Sequence, residues 1–131
     1  MTPKNLKTGE KITTPSAIIS ITQQELIETI DSAKQEGLSV CQESVNDVHD
    51  FIRGKLPLVG IKPSYADIHP DGKIALMWQI QGKAIAGMAF EGKRQIIWNY
   101  YQHVTDKKES STFHFDDFLA SNLYAFLKGN L

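Results

Sequence analysis

Between Tyr65 and Val104 the chain repeats one pattern that admits few folds: short β-rich runs, each broken by a glycine-bearing turn. Residues 65–69 form a short expected strand. His69-Pro70-Asp71-Gly72 then reads as a tight turn, because proline presets the second turn position and glycine tolerates the left-handed conformation that follows. From Lys73 to Ile80, Ile74, Leu76, Trp78 and Ile80 share one face, with Ala75, Met77 and Gln79 on the other. Gln81-Gly82 leads into Lys83–Glu91, and Glu91-Gly92-Lys93 leads into Arg94–Val104. Strands separated so closely pair as successive hairpins, since parallel neighbours need long crossovers. The middle of the chain is therefore an antiparallel meander.

Helical periodicity brackets the meander. Thr22 and Glu25 have the spacing of a capping box, Ile21 and Leu26 that of a hydrophobic staple, and Leu26, Ile30 and Ala33 form a stripe. With Gly37 as a stop, these signals predict a helix over 22–36. Cys41, Val45, Val48 and Ile52 at i, i+4, i+7 and i+11 predict a second helix over 39–53, with Cys41 a small buried hydrophobe on its stripe. Residues 56–64, with two prolines and a glycine, read as an extended connection. Thr105–Ser111 reads as a charged loop and Thr112–Phe115 as a short fifth strand. Asp116 is placed to cap a last helix that buries Leu119, Ala120, Leu123, Phe126 and Leu127. Residues 1–15 read as a flexible N-terminal arm and 16–131 as one domain. The expected architecture is an α+β two-layer sandwich: a meander of four or five strands covered by two N-terminal helices and one C-terminal helix.

Composition narrows the function classes. With 14 Lys plus Arg against 15 Asp plus Glu, the net charge of -1 lacks the basic footprint of nucleic-acid or anionic-membrane binding. A single cysteine, Cys41, excludes an internal disulfide and fits a reducing compartment, so a cytoplasmic protein is expected. No apolar run approaches the roughly 20 residues of a membrane span.

Sites of chemistry are sparse. The sequence has no Gly-x-Ser-x-Gly elbow, and its glycines sit in hairpins rather than opening a helix after a strand, so neither nucleophilic catalysis nor phosphate binding is supported. Asp116-Asp117 is explained by a helix N-terminus. His103, His114 and Asp116 would form a divalent-metal set if their strands paired suitably, which defines a small metal-dependent enzyme as one alternative. The segment Lys93–His103 interleaves Lys93 and Arg94 with Trp98, Tyr100 and Tyr101. It would serve a protein interface or, as a second alternative, stack single-stranded nucleic acid.

Leu56-Pro57, followed by the run Ile68-His69-Pro70-Asp71-Gly72-Lys73-Ile74-Ala75-Leu76-Met77-Trp78, resembles a pattern of short uncharacterised bacterial and phage proteins. That pattern runs Leu-Pro-x-Pro, a spacer, Pro-Asp-Gly-x-Ile-x-Leu-Glu-Trp, further strands and a closing helix, often near mobile or defence-related genes. Met77 stands where the pattern has Glu, and Ser64 where a second proline is common. The shared residues are turn chemistry and strand patterning, so the resemblance implies a fold and transfers no catalytic residue.

The function expected from these observations is a non-catalytic, cofactor-free module that docks on a macromolecule, most readily a protein, as antitoxins, immunity proteins and defence inhibitors do. Met77, Met88, Arg94, Trp98, Tyr100 and Tyr101 are its candidate contacts, because Met, Arg and aromatic side chains suit interface cores. An unprotected sheet edge would also permit a homodimer.

Overall fold

A computed structural model describes residues 14–129. The expected arm at residues 1–13 lies outside the described residues. Three helices come first, α1 (Pro15–Gln35), α2 (Gln42–Gly54) and the single turn α3 (Leu56–Val59). Five strands follow: β1 (Tyr65–Ile68), β2 (Ile74–Ile80), β3 (Ala84–Gly92), β4 (Gln95–Gln102) and β5 (Lys107–His114). A 3-10 helix over Phe115–Ala120 and α4 (Asn122–Gly129) close the chain. The strands pair in chain order, β1-β2-β3-β4-β5, and every pairing is antiparallel. This is the expected two-layer α+β sandwich with an antiparallel meander. No helix among the described residues is long and apolar enough to cross a membrane.

Strand parity decides which residues form the core. Ile74, Leu76 and Trp78 of β2 stand opposite Phe90, Met88 and Ala86 of β3, which oppose Ile96, Trp98 and Tyr100 of β4. All nine are buried beneath the helices, which add Ile18, Leu26, Phe51, Ile52, Leu56, Phe118, Leu123 and Leu127. Trp78 donates its indole N–H to the Ile61 carbonyl at 3.2 Å, so this large ring is buried with its polar atom satisfied.

Several boundaries differ from expectation, each for a packing reason. Helix α1 starts at Pro15 rather than Thr22. Proline suits a first helical position, where its missing N–H would be unpaired anyway. The earlier start also buries Ile18 completely. Thr22 is consequently interior, 4% exposed, and its hydroxyl has no partner among the described residues. Glu25 turns away from it to accept from Lys62 Nζ at 2.8 Å. Because an orphaned buried hydroxyl costs about 1–3 kcal/mol, Thr22→Val should raise stability by about 1 kcal/mol, read by denaturant titration. Loss of stability on that substitution would show that the hydroxyl is satisfied.

Cys41 precedes α2 instead of lying on its stripe, is half-buried, and donates its backbone N–H to Gly72 O at 2.8 Å. The 56–64 connection contains the turn of α3, which Pro57 favours and which buries Leu56 and Val59. Strand β5 spans eight residues, because residues 103–106 suffice to turn the chain, with Asp106 in the left-handed region at φ 52°. After β5, a 3-10 turn puts Phe115 and Phe118 three residues apart on one side, both edge-on to Phe51 at 6.5 and 4.9 Å. A continuous α-helix from Asp116 would have buried Leu119, which is instead 45% exposed. Ser121 breaks the chain direction, and its Oγ accepts the Tyr124 N–H at 3.1 Å as the cap of α4.

Helix α2 is clamped to one end of the sheet. Ser44 Oγ, fully buried, donates to Phe90 O at 2.6 Å and accepts from Ile74 N at 2.9 Å, joining β2 to β3 where their ladder ends. Asp47 accepts from Arg94 N at 2.9 Å, in a β3–β4 turn whose Lys93 and Arg94 both have positive φ. The Arg94 guanidinium reaches Asp50 at 2.8 Å and lies 3.7 Å over the Phe115 ring. Left-handed non-glycine residues are costly, and these contacts hold the turn in place.

Candidate protein-docking surface

All the described helices lie on one side of the sheet, so among the described residues those of opposite parity form a bare face. Its rows follow from the register. Tyr65, Met77, Gly87, Asn99 and Ser110 stand side by side across the five strands. Asp67, Ala75, Ala89, Ile97 and Thr112 form the next row, and Gln79, Ile85, Tyr101 and Lys108 another. In a sheet with one face packed, the other is ordinarily polar. Here Tyr65, Ile85 and Ile97 are 43%, 39% and 44% exposed, with Met77, Ala89 and Tyr101 half-exposed between them. These apolar residues sit among the polar Asp67, Gln79, Asn99, Lys108, Ser110 and Thr112 of the same face.

Small residues lower the centre of this face. Met77 lies flat over Gly87, where an added Cβ would stand 2.9 Å from its sulfur. Toward the β4–β5 hairpin a shallow depression of about 460 Å³ opens between Ile85, Asn99, Tyr101, Lys108 and Ser110. Tyr101 is fixed there by donating to Asp106 at 2.9 Å, a bond that raises its pKa. Its ring meets that of His103 edge-on at 4.9 Å. The depression is thus walled by rigid aromatic and aliphatic groups with an amide and an ammonium at its rim.

The expected contacts divide between the two faces. Met77 and Tyr101 lie on the bare face. Met88, Trp98 and Tyr100 are corrections: all three are buried on the helix side, Met88 fully and Trp98 and Tyr100 to within 5%. Trp98 stacks on Tyr100 at 5.8 Å, and Tyr100 on Phe126 at 3.9 Å. The Tyr100 hydroxyl donates to Glu109 at 2.7 Å. Burial first, and that bond second, push its pKa up to about 12. A tyrosine whose folded pKa exceeds its unfolded one, about 10, stabilises the fold below pH 10 and loses that contribution between pH 10 and 12. Arg94 faces α2 and spends its charge on Asp47 and Asp50.

The His103, His114 and Asp116 set is not brought together. The register places His114 opposite Gln95, eight residues and about 26 Å along β4 from His103. His114 Nδ1 instead accepts the Asp116 N–H at 3.1 Å, capping the 3-10 helix. Among the described residues, no three His, Cys, Asp or Glu side chains are grouped to hold a metal ion. His49 has its pKa lowered by burial and then by Arg53, on α2 and away from the bare face.

Sequence reasoning missed Tyr65, Ile85 and Ile97 as surface residues. The signal was present in adjacent apolar pairs such as Ala84-Ile85 and Ile96-Ile97, which an alternating strand must send to opposite faces. No protein-family model, no curated protein and no solved structure matches this chain.

Proposed function

We propose that the protein is a docking module that binds another protein through the bare sheet face, with Ile85, Ile97, Met77, Tyr65 and Tyr101 as the contact core. The observation that carries this reading is a contiguous apolar patch on a face that no element among the described residues covers. Single exposed apolar residues are ordinary, but adjoining ones mark interaction sites. Rigid aromatics and a flexible methionine suit such a core, and Asn99, Ser110 and Lys108 supply a polar rim. The module acts by occupancy, in the manner of an inhibitor or antitoxin. The lone cysteine of the sequence supports a cytoplasmic location.

A single-stranded nucleic-acid platform is less favoured. The aromatics it would need, Trp98 and Tyr100, lie in the core, and Arg94 is paired.

The test is capture by the full chain from its host, compared with the double variant Ile85→Glu/Ile97→Glu. Both positions are exposed, so stability should change by less than about 1 kcal/mol. A protein retained in stoichiometric amount by the native chain should be lost from the variant. Equal capture by both, or none by either, would refute the reading.

A further inference from the structure

A second surface, which meets the bare face at Tyr65 and Asp67, lies at the free edge of β1. There α1 and β1 enclose an open groove of about 500 Å³, with Glu25, Glu28, Ser32 and Glu36 on one wall and Ala66 and Ile68 on the other. Glu25, Glu28 and Ser32 of α1 and its C-cap residue Glu36 recur every three or four positions and form one stripe. Lys62 neutralises Glu25 at 2.8 Å. Among the described residues Glu28 accepts only the Gln24 amide, at 3.1 Å, and neither Glu28 nor Glu36 has a Lys or Arg nitrogen within 4.0 Å. Asp67, also lining the groove, has His69 Nε2 at 4.0 Å.

The backbone of β1 is in the right phase to use this groove. His69 N donates to Lys73 O at 2.9 Å, which marks that pair as hydrogen-bonded. Antiparallel ladders alternate, so Asp67 and Tyr65 turn their amides to β2 while Ala66 and Ile68 turn theirs to the groove. Two residues thus offer N–H and C=O groups to one more strand, beside carboxylates that no Lys or Arg among the described residues pairs.

We propose that this groove takes an extended segment of a partner protein carrying Lys or Arg four residues apart, which adds to β1 as a sixth strand. Glu28 and Glu36 are about 12 Å apart along the helix axis. Side chains at i and i+4 of an extended chain point the same way and are about 13 Å apart. Main-chain bonds to Ala66 and Ile68 set the register, and the two carboxylates select the basic residues, the division of labour general to strand addition.

Fluorescence anisotropy of the full chain with a labelled nine-residue Thr/Val peptide bearing Lys at its third and seventh positions tests this. Binding should be saturable and roughly tenfold weaker for the peptide with Glu at those positions. It should weaken similarly for the E28K/E36K chain, and be lost when the peptide amides that face β1 are N-methylated. The Glu28 and Glu36 positions are exposed, so E28K/E36K should melt as the native chain does. Absent binding, or equal binding by the Glu peptide, the methylated peptide or E28K/E36K, would overturn the proposal. So would a native dimer that E28K/E36K dissociates, since a second copy would then fill the groove.

Discussion

Gly72→Ala is expected to destabilise the protein by about 4 kcal/mol, enough to leave much of the chain unfolded at moderate temperature. Two effects add. Gly72 has φ +86°, a conformation that costs an L-residue about 1–2 kcal/mol. A methyl group there would also overlap the Ser39 carbonyl oxygen and stand 3.0 Å from Cys41 N. Both neighbours are backbone, so relief requires moving the segment before α2 and breaking the Cys41 N to Gly72 O bond. Losing a buried backbone pair costs a further 1–3 kcal/mol or so. Gly82 is an internal control, with φ +69° and nothing within 4 Å of an added Cβ. Gly82→Ala should therefore cost only the conformational part, about 1 kcal/mol. Denaturant midpoints of the two variants, compared at unchanged slope, separate strain from collision. Equal losses would mean that the turn moves freely away from the 39–41 segment.

The second large effect is expected for Ser44→Ala, at about 3 kcal/mol. The substitution removes one oxygen atom but orphans two groups, the Ile74 N–H and the Phe90 C=O. Ser44 is fully buried, so water does not replace the hydroxyl without entering the core. Each unsatisfied buried group costs about 1–3 kcal/mol. Amide exchange adds a local readout: the Ile74 amide should exchange much faster in the variant, by a factor larger than the global loss accounts for. A loss under about 0.5 kcal/mol would show that β2 and β3 close directly on one another without the serine.

How far the sequence spoke for this fold depends on which forces decided each part. The meander was legible because its information is local: Gly72, Gly82 and Gly92 all take positive φ, and the residues between them alternate. The core parity of Ile74, Leu76 and Trp78 follows from the same alternation. The start of α1 was not legible, because a well-spaced Thr22–Glu25 pair mimics a cap, while burial of Ile18 against distant residues outweighs it. The 3-10 break after β5 was hidden for a similar reason, since Phe115 and Phe118 flank Phe51, more than sixty positions away in the chain. Ser44 and Asp47 looked like polar positions of an amphipathic helix, and only tertiary contact shows them tying α2 to the sheet.

The candidate surface was half legible. Apolar residues on both strand faces announced that something would cover or use each one, and Met77 and Tyr101 fall on the bare side. Which parity faced the helices could not be read from β4 alone, because Trp98 and Tyr100 are as suited to an interface as Tyr101 is. Their burial follows from pairing with Met88 and Ala86, a register that the turn at Gly92 fixes and the sequence leaves implicit.

The helix-free face of the sheet is proposed to be the contact surface in the working protein. A photo-crosslinking amino acid placed at Ile97 and, separately, at Leu58 tests this most directly, because the two positions are 44% and 47% exposed but lie in different layers. On irradiation in the native host, position 97 should yield one discrete heavier adduct and position 58 none. No adduct from position 97, or the same products from both, would contradict it.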